Sequence, residues 1–127
     1  ACVRITPNIE ETIVSSIKTM IEDLMKDNNP KVNNIKKNDY VIALSIPGKN
    51  MSSENMALMI KEHFTYNSSP IAFVIGGSNG LDDRVLERSN YQLSFGKMTY
   101  PHQLMRLILL EQVYRCMMIN NNHKYHK

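Results

Sequence analysis

The amino-acid sequence predicts an α/β domain built on a mainly parallel sheet. Three observations lead there. Strand-like and helix-like stretches alternate along the chain. Residues 40–46 and 71–75 are nearly continuous apolar runs rich in β-branched side chains, the pattern of strands covered on both faces. The second run leads straight into Gly76-Gly77-Ser78-Asn79-Gly80, a loop placed between a strand and a helix.

The elements follow in order. Residues 2–5 are short and apolar and predict a strand. Thr6-Pro7-Asn8 opens a helix: proline suits a first turn, and Asn8 with Glu11 has capping-box spacing. Ile9, Ile13, Ile17, Met20 or Ile21, and Leu24 recur at helical period. Asp27-Asn28-Asn29-Pro30 ends that helix, and residues 31–39 read as a loop. After the strand at 40–46, Pro47-Gly48-Lys49-Asn50 is expected to turn the chain. Ser52 or Ser53 caps a helix with Met56, Met59, Ile60 and Phe64 inward. A short helix at about 82–88 follows the glycine loop, and residues 91–95 predict another strand. A long helix, about 102–119, comes last, with Leu104, Leu107, Ile108, Leu110 and Tyr114 among its apolar positions. Glu111 and Arg115 stand one turn apart and can pair. The tail from Asn120 is polar.

Composition narrows the function classes. At 127 residues the chain is one domain, residues 1–127, large enough to bury a core without disulfides or metals. A hydrophobic fraction of 43% with 21% charged residues is ordinary for a globular protein, and no apolar run reaches the roughly 18 residues of a membrane span. No signal peptide opens the chain, so an interior compartment is expected. Cys2 and Cys116 lie far apart and outside any C-x-x-C pair, so they read as idle thiols. His123 and His126 have no carboxylate or cysteine nearby to complete a metal site, and none is expected. A net charge of +3 suits a polyanionic partner without requiring one. No Ser/His/Asp order or carboxylate pair points to a hydrolase.

In open parallel sheets, ligands bind beyond the carboxyl ends of the strands. That places residues 44–48, 76–80 and 95–101 on one edge as a candidate cradle. The loop 76–80 is neither a G-x-G-x-x-G nor a Walker loop, and on spacing alone it is equally a ligand cradle or a tight turn. Taken alone, Thr99 reads as a helix cap, and His102, in the first helical turn, as a surface cap residue ahead of a site residue.

Taken together, five segments resemble one family. They are Leu44-Ser45-Ile46-Pro47-Gly48-Lys49; Phe73-Val74-Ile75-Gly76-Gly77-Ser78-Asn79-Gly80-Leu81; Leu93-Ser94-Phe95-Gly96-Lys97-Met98-Thr99-Tyr100-Pro101-His102-Gln103; Leu110-Glu111-Gln112-Val113-Tyr114-Arg115; and Tyr125-His126-Lys127. Their order and spacing resemble the ribosomal RNA large subunit methyltransferase H family, a branch of the SPOUT superfamily. The resemblance covers the chain from about Tyr40 onward. It implies a trefoil-knotted α/β fold with a long C-terminal helix and tail. It also implies S-adenosylmethionine as methyl donor, and methylation of N3 of a pseudouridine in 23S-type ribosomal RNA. The working unit would be a homodimer acting on an assembled ribosome, with no membrane and no metal. The compartment would be the cytoplasm of a bacterium, or an organelle of a eukaryote.

Residue by residue, the resemblance implies that Leu44 lies beside the adenosine and that Gly76, with Gly77, offers backbone to the cofactor. Phe95, Gly96, Lys97, Met98, Thr99 and Tyr100 would wrap it. His126 would assist removal of the N3 proton, Tyr125 would stack on or orient the base, and Arg106 would hold a phosphate or a carboxylate. Three departures accompany these expectations. The family has Ser where Gly96 stands and Pro where Lys124 stands, and it begins with a further strand and helix that have no counterpart here. The alternatives are a catalytically inactive ribosome- or RNA-binding module of the same fold, another SPOUT RNA methyltransferase, and a Rossmann-type nucleotide-binding domain. The last would need a phosphate loop that the sequence does not show.

Overall fold

A computed structural model describes residues 2–7, 35–76 and 81–126. The helix expected near residues 8–24 and the glycines at 77 and 80 lie outside the described residues. The described elements are β1 (Cys2–Ile5), β2 (Tyr40–Asn50), α1 (Ser53–Tyr66), β3 (Ile71–Ile75), α2 (Asp83–Arg88), β4 (Tyr91–Ser94) and α3 (His102–Asn120). The sheet order is β1-β3-β2-β4. β2 pairs parallel with β3 and with β4, whereas β1 joins the edge antiparallel to β3.

The apolar runs are continuous because both sheet faces are covered. Ile42, Phe73 and Leu93 turn toward α1 and α3, into a core with Met56, Ile60, Leu109, Leu110 and Val113. The alternate residues Val41 and Val74 meet Val85 of α2 on the other face. Successive strand residues point to opposite faces, so a strand buried on both sides needs apolar residues at every position.

α1 begins as expected: Ser52 Oγ accepts from the Asn55 amide at 3.1 Å. Asp82 caps α2 by accepting from the Arg84 amide at 2.8 Å. α3 forms over the expected range, and the structure adds which of its apolar residues are buried. Its buried residues are Arg106, Leu109, Leu110, Val113, Cys116, Met117 and Met118, while Leu104 is 45% exposed. Apolar residues stand on more than one side of the helix, and packing against α1 and the core selects which stripe is buried. No described helix is long and apolar enough to cross a membrane.

The expected turn at residues 47–50 is instead strand. β2 pairs with β4 at Leu44↔Leu93, bows away, and pairs again at Lys49↔Leu93 and Asn50↔Ser94. Gly48 permits the return. A Cβ there would stand 2.8 Å from the Gln92 carbonyl carbon and oxygen and 3.0 Å from the Leu93 carbonyl carbon. Turn-forming residues here serve a bulge, because the edge of β4 is close enough to recapture the chain.

Polar ties fix the entry to β2. Asp39, 4% exposed, accepts from Arg4 Nη2 at 2.6 Å, Arg4 Nε at 3.2 Å and the Lys36 amide at 2.8 Å. Burial raises the Asp39 carboxyl, but the Arg4 guanidinium and the Lys36 amide outweigh it and hold the group below its ordinary value. Arg88 Nη2 donates to the carbonyls of Lys36, Lys37 and Asp39 at 3.3, 3.1 and 2.9 Å. Cys116 is buried, and its thiol is pushed up to about 12 by desolvation, as befits an idle core thiol.

Candidate functional site

The carboxyl ends of β2, β3 and β4 open on a cavity of about 370 Å³, within the size range of small-ligand sites. Three stretches converge on it. The bulge of β2 contributes Leu44, Ser45, Ile46 and Pro47; β3 contributes Ile75 and Gly76; the segment after β4 contributes Phe95, Gly96, Met98, Thr99 and Tyr100. Leu81 and Leu86 close one wall, and His102 and Met105 of α3 close another. The walls are mainly apolar, with hydroxyls and backbone at the rim.

Most of the proposed cofactor residues therefore share one cavity: Leu44, Gly76, Phe95, Gly96, Met98, Thr99 and Tyr100. Lys97 is exposed and is not among the lining residues. Gly77 lies outside the described residues. Gly96 has φ +120°, the region that favours glycine, and is held by Ser94, whose Oγ accepts from the Gly96 amide at 3.1 Å and donates to its carbonyl at 3.0 Å. Nothing lies within 4 Å of where a Gly96 Cβ would be, so conformation rather than space is what a side chain would disturb there.

Thr99 does not cap α3. The N-cap is Pro101, which offers no side-chain acceptor to the first turn of this 19-residue helix. His102, read as a surface residue, belongs to the site. It lines the cavity, and its Nε2 is shielded from solvent with no hydrogen-bond partner among the described residues. A ring nitrogen in that position is suited to a polar ligand atom. One side chain in a helical turn has no spacing pattern, so the sequence alone ranked the surface reading ahead of the site reading.

A second cavity, about 430 Å³, adjoins the first through Ser94, Phe95 and Gly96 and is also lined by Met51, Ser53, Ile108 and Gln112. The tail residues expected to act in chemistry lie elsewhere on the chain. Tyr125 packs edge-on against Tyr114 at 5.0 Å, sits 4.9 Å beneath the Arg115 guanidinium, and donates its hydroxyl to Glu111 Oε1 at 3.0 Å. That bond to Glu111 raises the Tyr125 phenol above its ordinary value. The Glu111–Arg115 pair forms as the spacing predicts, at 2.8 Å.

His126 Nε2 lies 2.5 Å from Glu54 Oε1, and Arg115 Nη1 lies 3.2 Å from His126 Nδ1. Arginine only donates, so in the neutral ring Nδ1 accepts and the proton sits on Nε2, toward Glu54. The hydrogen bond from His126 holds the Glu54 carboxyl below its ordinary value. Neither Tyr125 nor His126 is among the residues lining the first cavity of its own chain. Arg106 is 6% exposed on the inward stripe of α3 and lines neither cavity. No group of three or more metal-ligating side chains occurs among the described residues.

Comparison with known proteins adds family membership to this geometry. Residues 3–126 match a family model described as predicted SPOUT methyltransferase. The chain is 51% identical over 114 residues to the ribosomal RNA large subunit methyltransferase H of Clostridioides difficile, covering 88% of this chain and 70% of that protein. It is 58% identical over 88 residues to the protein of that name from Carboxydothermus hydrogenoformans, covering 69% of this chain and 55% of the relative. The Bacillus cereus protein of the same name is 59% identical over 88 residues, with the same coverage. The matches thus span 70% of the first relative's length and just over half of the other two.

Proposed function

The chain belongs to the SPOUT methyltransferase family, and from that premise we propose that it methylates large-subunit ribosomal RNA with S-adenosylmethionine held in the cavity at the ends of β2, β3 and β4. The observation that carries this reading is the convergence of residues 44–47, 75–76 and 95–100 on one cavity. The cavity suits the cofactor. Leu44, Ile46, Leu93 and Phe95 offer apolar surface for an adenine ring, and Gly76 and Gly96 bring backbone close. The start of α3, where Pro101 supplies no side-chain cap, would favour a carboxylate, because the helix dipole is positive there. His102 Nε2 would satisfy itself on a polar atom of the ligand.

When bound, the cofactor supplies an electrophilic methyl group on a sulfonium. What remains for the protein is positioning, which by itself lowers barriers substantially. The acceptor we propose is N3 of a pseudouridine, whose imide proton must leave; His126 would take or relay it at Nδ1 once the Arg115 contact gives way, and Tyr125 would stack on the base. Both belong to the tail, which we propose completes the site of a second copy in a homodimer. The trefoil knot belongs to the same proposal and rests on the family resemblance. Arg106 would act by bracing α3 from within. The compartment would be wherever bacterial-type ribosomes mature.

Titration calorimetry with S-adenosylmethionine and with its demethylated product tests the cavity. Micromolar binding followed by methyl transfer to large ribosomal subunits supports the reading. A folded protein that binds neither ligand refutes it, and the inactive ribosome-binding module then stands in its place. Its sequence basis is Gly96, which removes a hydroxyl from the loop.

A further inference from the structure

We propose that the groove between residues 35–37 and α2 is a phosphate dock that grips the RNA backbone beside the cofactor cavity. The groove measures about 490 Å³ and is lined by Lys36, Lys37, Arg84 and Arg88, with Asp82 the one carboxylate among the described residues that line it, over an apolar floor of Ile35 and Val85. The chain has 15 Lys and Arg against 12 Asp and Glu. Setting aside the groove's four cations and one carboxylate leaves eleven of each, so the groove carries the whole net charge of +3. Asp83 and Glu87 also belong to α2 but are not among the groove's lining residues.

The cations stand on two facing walls. Lys36 and Lys37 are exposed on the loop before β2, and Arg84, its side chain 89% exposed, stands on α2. Asp82 accepts from the Arg84 guanidinium at 3.2 Å, which orients that side chain at the groove. Arg88 acts differently, since its three bonds to the carbonyls of Lys36, Lys37 and Asp39 hold the lysine-bearing loop in place. The Arg4–Asp39 pair fixes the same loop from behind. The loop's backbone is therefore held before any ligand arrives, which lowers the cost of ordering it on binding.

Position favours RNA over another polyanion. Leu86 of α2 lines the cofactor cavity, while Arg84, Val85 and Arg88 of the same helix line the groove. The two sites are thus back to back across one short helix, about 10 Å thick. A strand held in the groove would have bases a few nucleotides away within reach of the cavity. Phosphate contacts of this kind set orientation and register, which a catalytic domain must impose on its substrate.

This inference rests on the proposed function, and the test separates the two. The full chain is titrated with large ribosomal subunits from 50 to 200 mM salt, alongside Lys36→Ala/Lys37→Ala and Lys36→Arg/Lys37→Arg. Losing two single-strand phosphate contacts lowers the salt slope by about 1.4, which makes the alanine variant roughly tenfold weaker at 200 mM and roughly seventyfold weaker at 50 mM. The arginine variant should bind like the parent, and all three should share the same melting temperature and affinity for S-adenosylmethionine. An alanine variant with the parent's affinity and salt slope overturns the dock and leaves the proposed function standing. A parent protein that binds S-adenosylmethionine but no ribosomal RNA overturns the proposed function and the dock with it.

Discussion

Substituting Gly48 by Ala should damage both the sheet and the cofactor cavity. The added Cβ would meet two backbone atoms of Gln92 at 2.8 Å, where ordinary contact begins near 3.4 Å. One strand must therefore retreat by about 0.6 Å, and neither is free to do so cheaply. β4 carries Leu93, fully buried, and β2 is paired on its other side to β3. Overpacking of this kind costs about 1–3 kcal/mol. Alanine also restricts the unfolded chain, which returns about 0.4–1 kcal/mol. The net loss is about 1–2 kcal/mol, or roughly 4–8 °C in melting temperature for a chain of this size. Thermal melting, with a denaturant titration to confirm an unchanged m-value, measures it. The displaced bulge carries Leu44 to Pro47 with it, so affinity for S-adenosylmethionine should fall as well. A variant as stable as the parent would show that β2 does not depend on this close approach, and the account of the bulge would be wrong.

Other outcomes follow from single contacts. Asp39→Ala should cost about 2–3 kcal/mol, less than the ~3–5 kcal/mol of a fully buried pair, because Arg4, 25% exposed, can rehydrate. The Asp39 carboxyl is held low in the folded state, so its contribution is present in full above its unfolded value near 3.9 and lost as pH falls through the lower folded value; the variant should lack that acid limb in a stability–pH profile. His102→Phe should leave stability unchanged or raise it, since a shielded nitrogen disappears, while weakening S-adenosylmethionine about two- to twelvefold, the worth of one hydrogen bond; unaltered affinity would remove His102 from the site. Glu54→Gln should loosen the tail, read as faster trimming by carboxypeptidase at unchanged melting temperature. Since Glu54 is also held low, the parent's tail should stay docked above the ordinary carboxylate range and release only as pH drops through the depressed value.

What the sequence revealed, and what it hid, divides along physical lines. The runs at 40–46 and 71–75 announced buried parallel strands because burial on both faces leaves no polar alternation to confuse them. Three converging loops could be placed on one edge because ligand sites in such sheets follow from strand polarity. The antiparallel entry of β1 carried no local signal, since edge pairing is decided by neighbours rather than composition. Pro47-Gly48 read as a turn because local turn chemistry is blind to a strand 44 residues further on. α3 was legible as a helix, but not its buried face: Leu104, Leu107 and Ile108 offer a second set of apolar positions, and packing against α1 decides between them. The docking of His126 on Glu54 joins side chains 72 positions apart and leaves no spacing to detect.

Leu93 anchors the bulge of β2 at both feet, opposite Leu44 and again opposite Lys49. The arch between them is a closed loop of four residues, tied off by the same strand at each end. Its two ends are fixed when the sheet forms, so the span open to this wall of the cavity is set by the fold. The opposite wall is built differently, from residues 96–100, which run between β4 and α3 outside regular secondary structure.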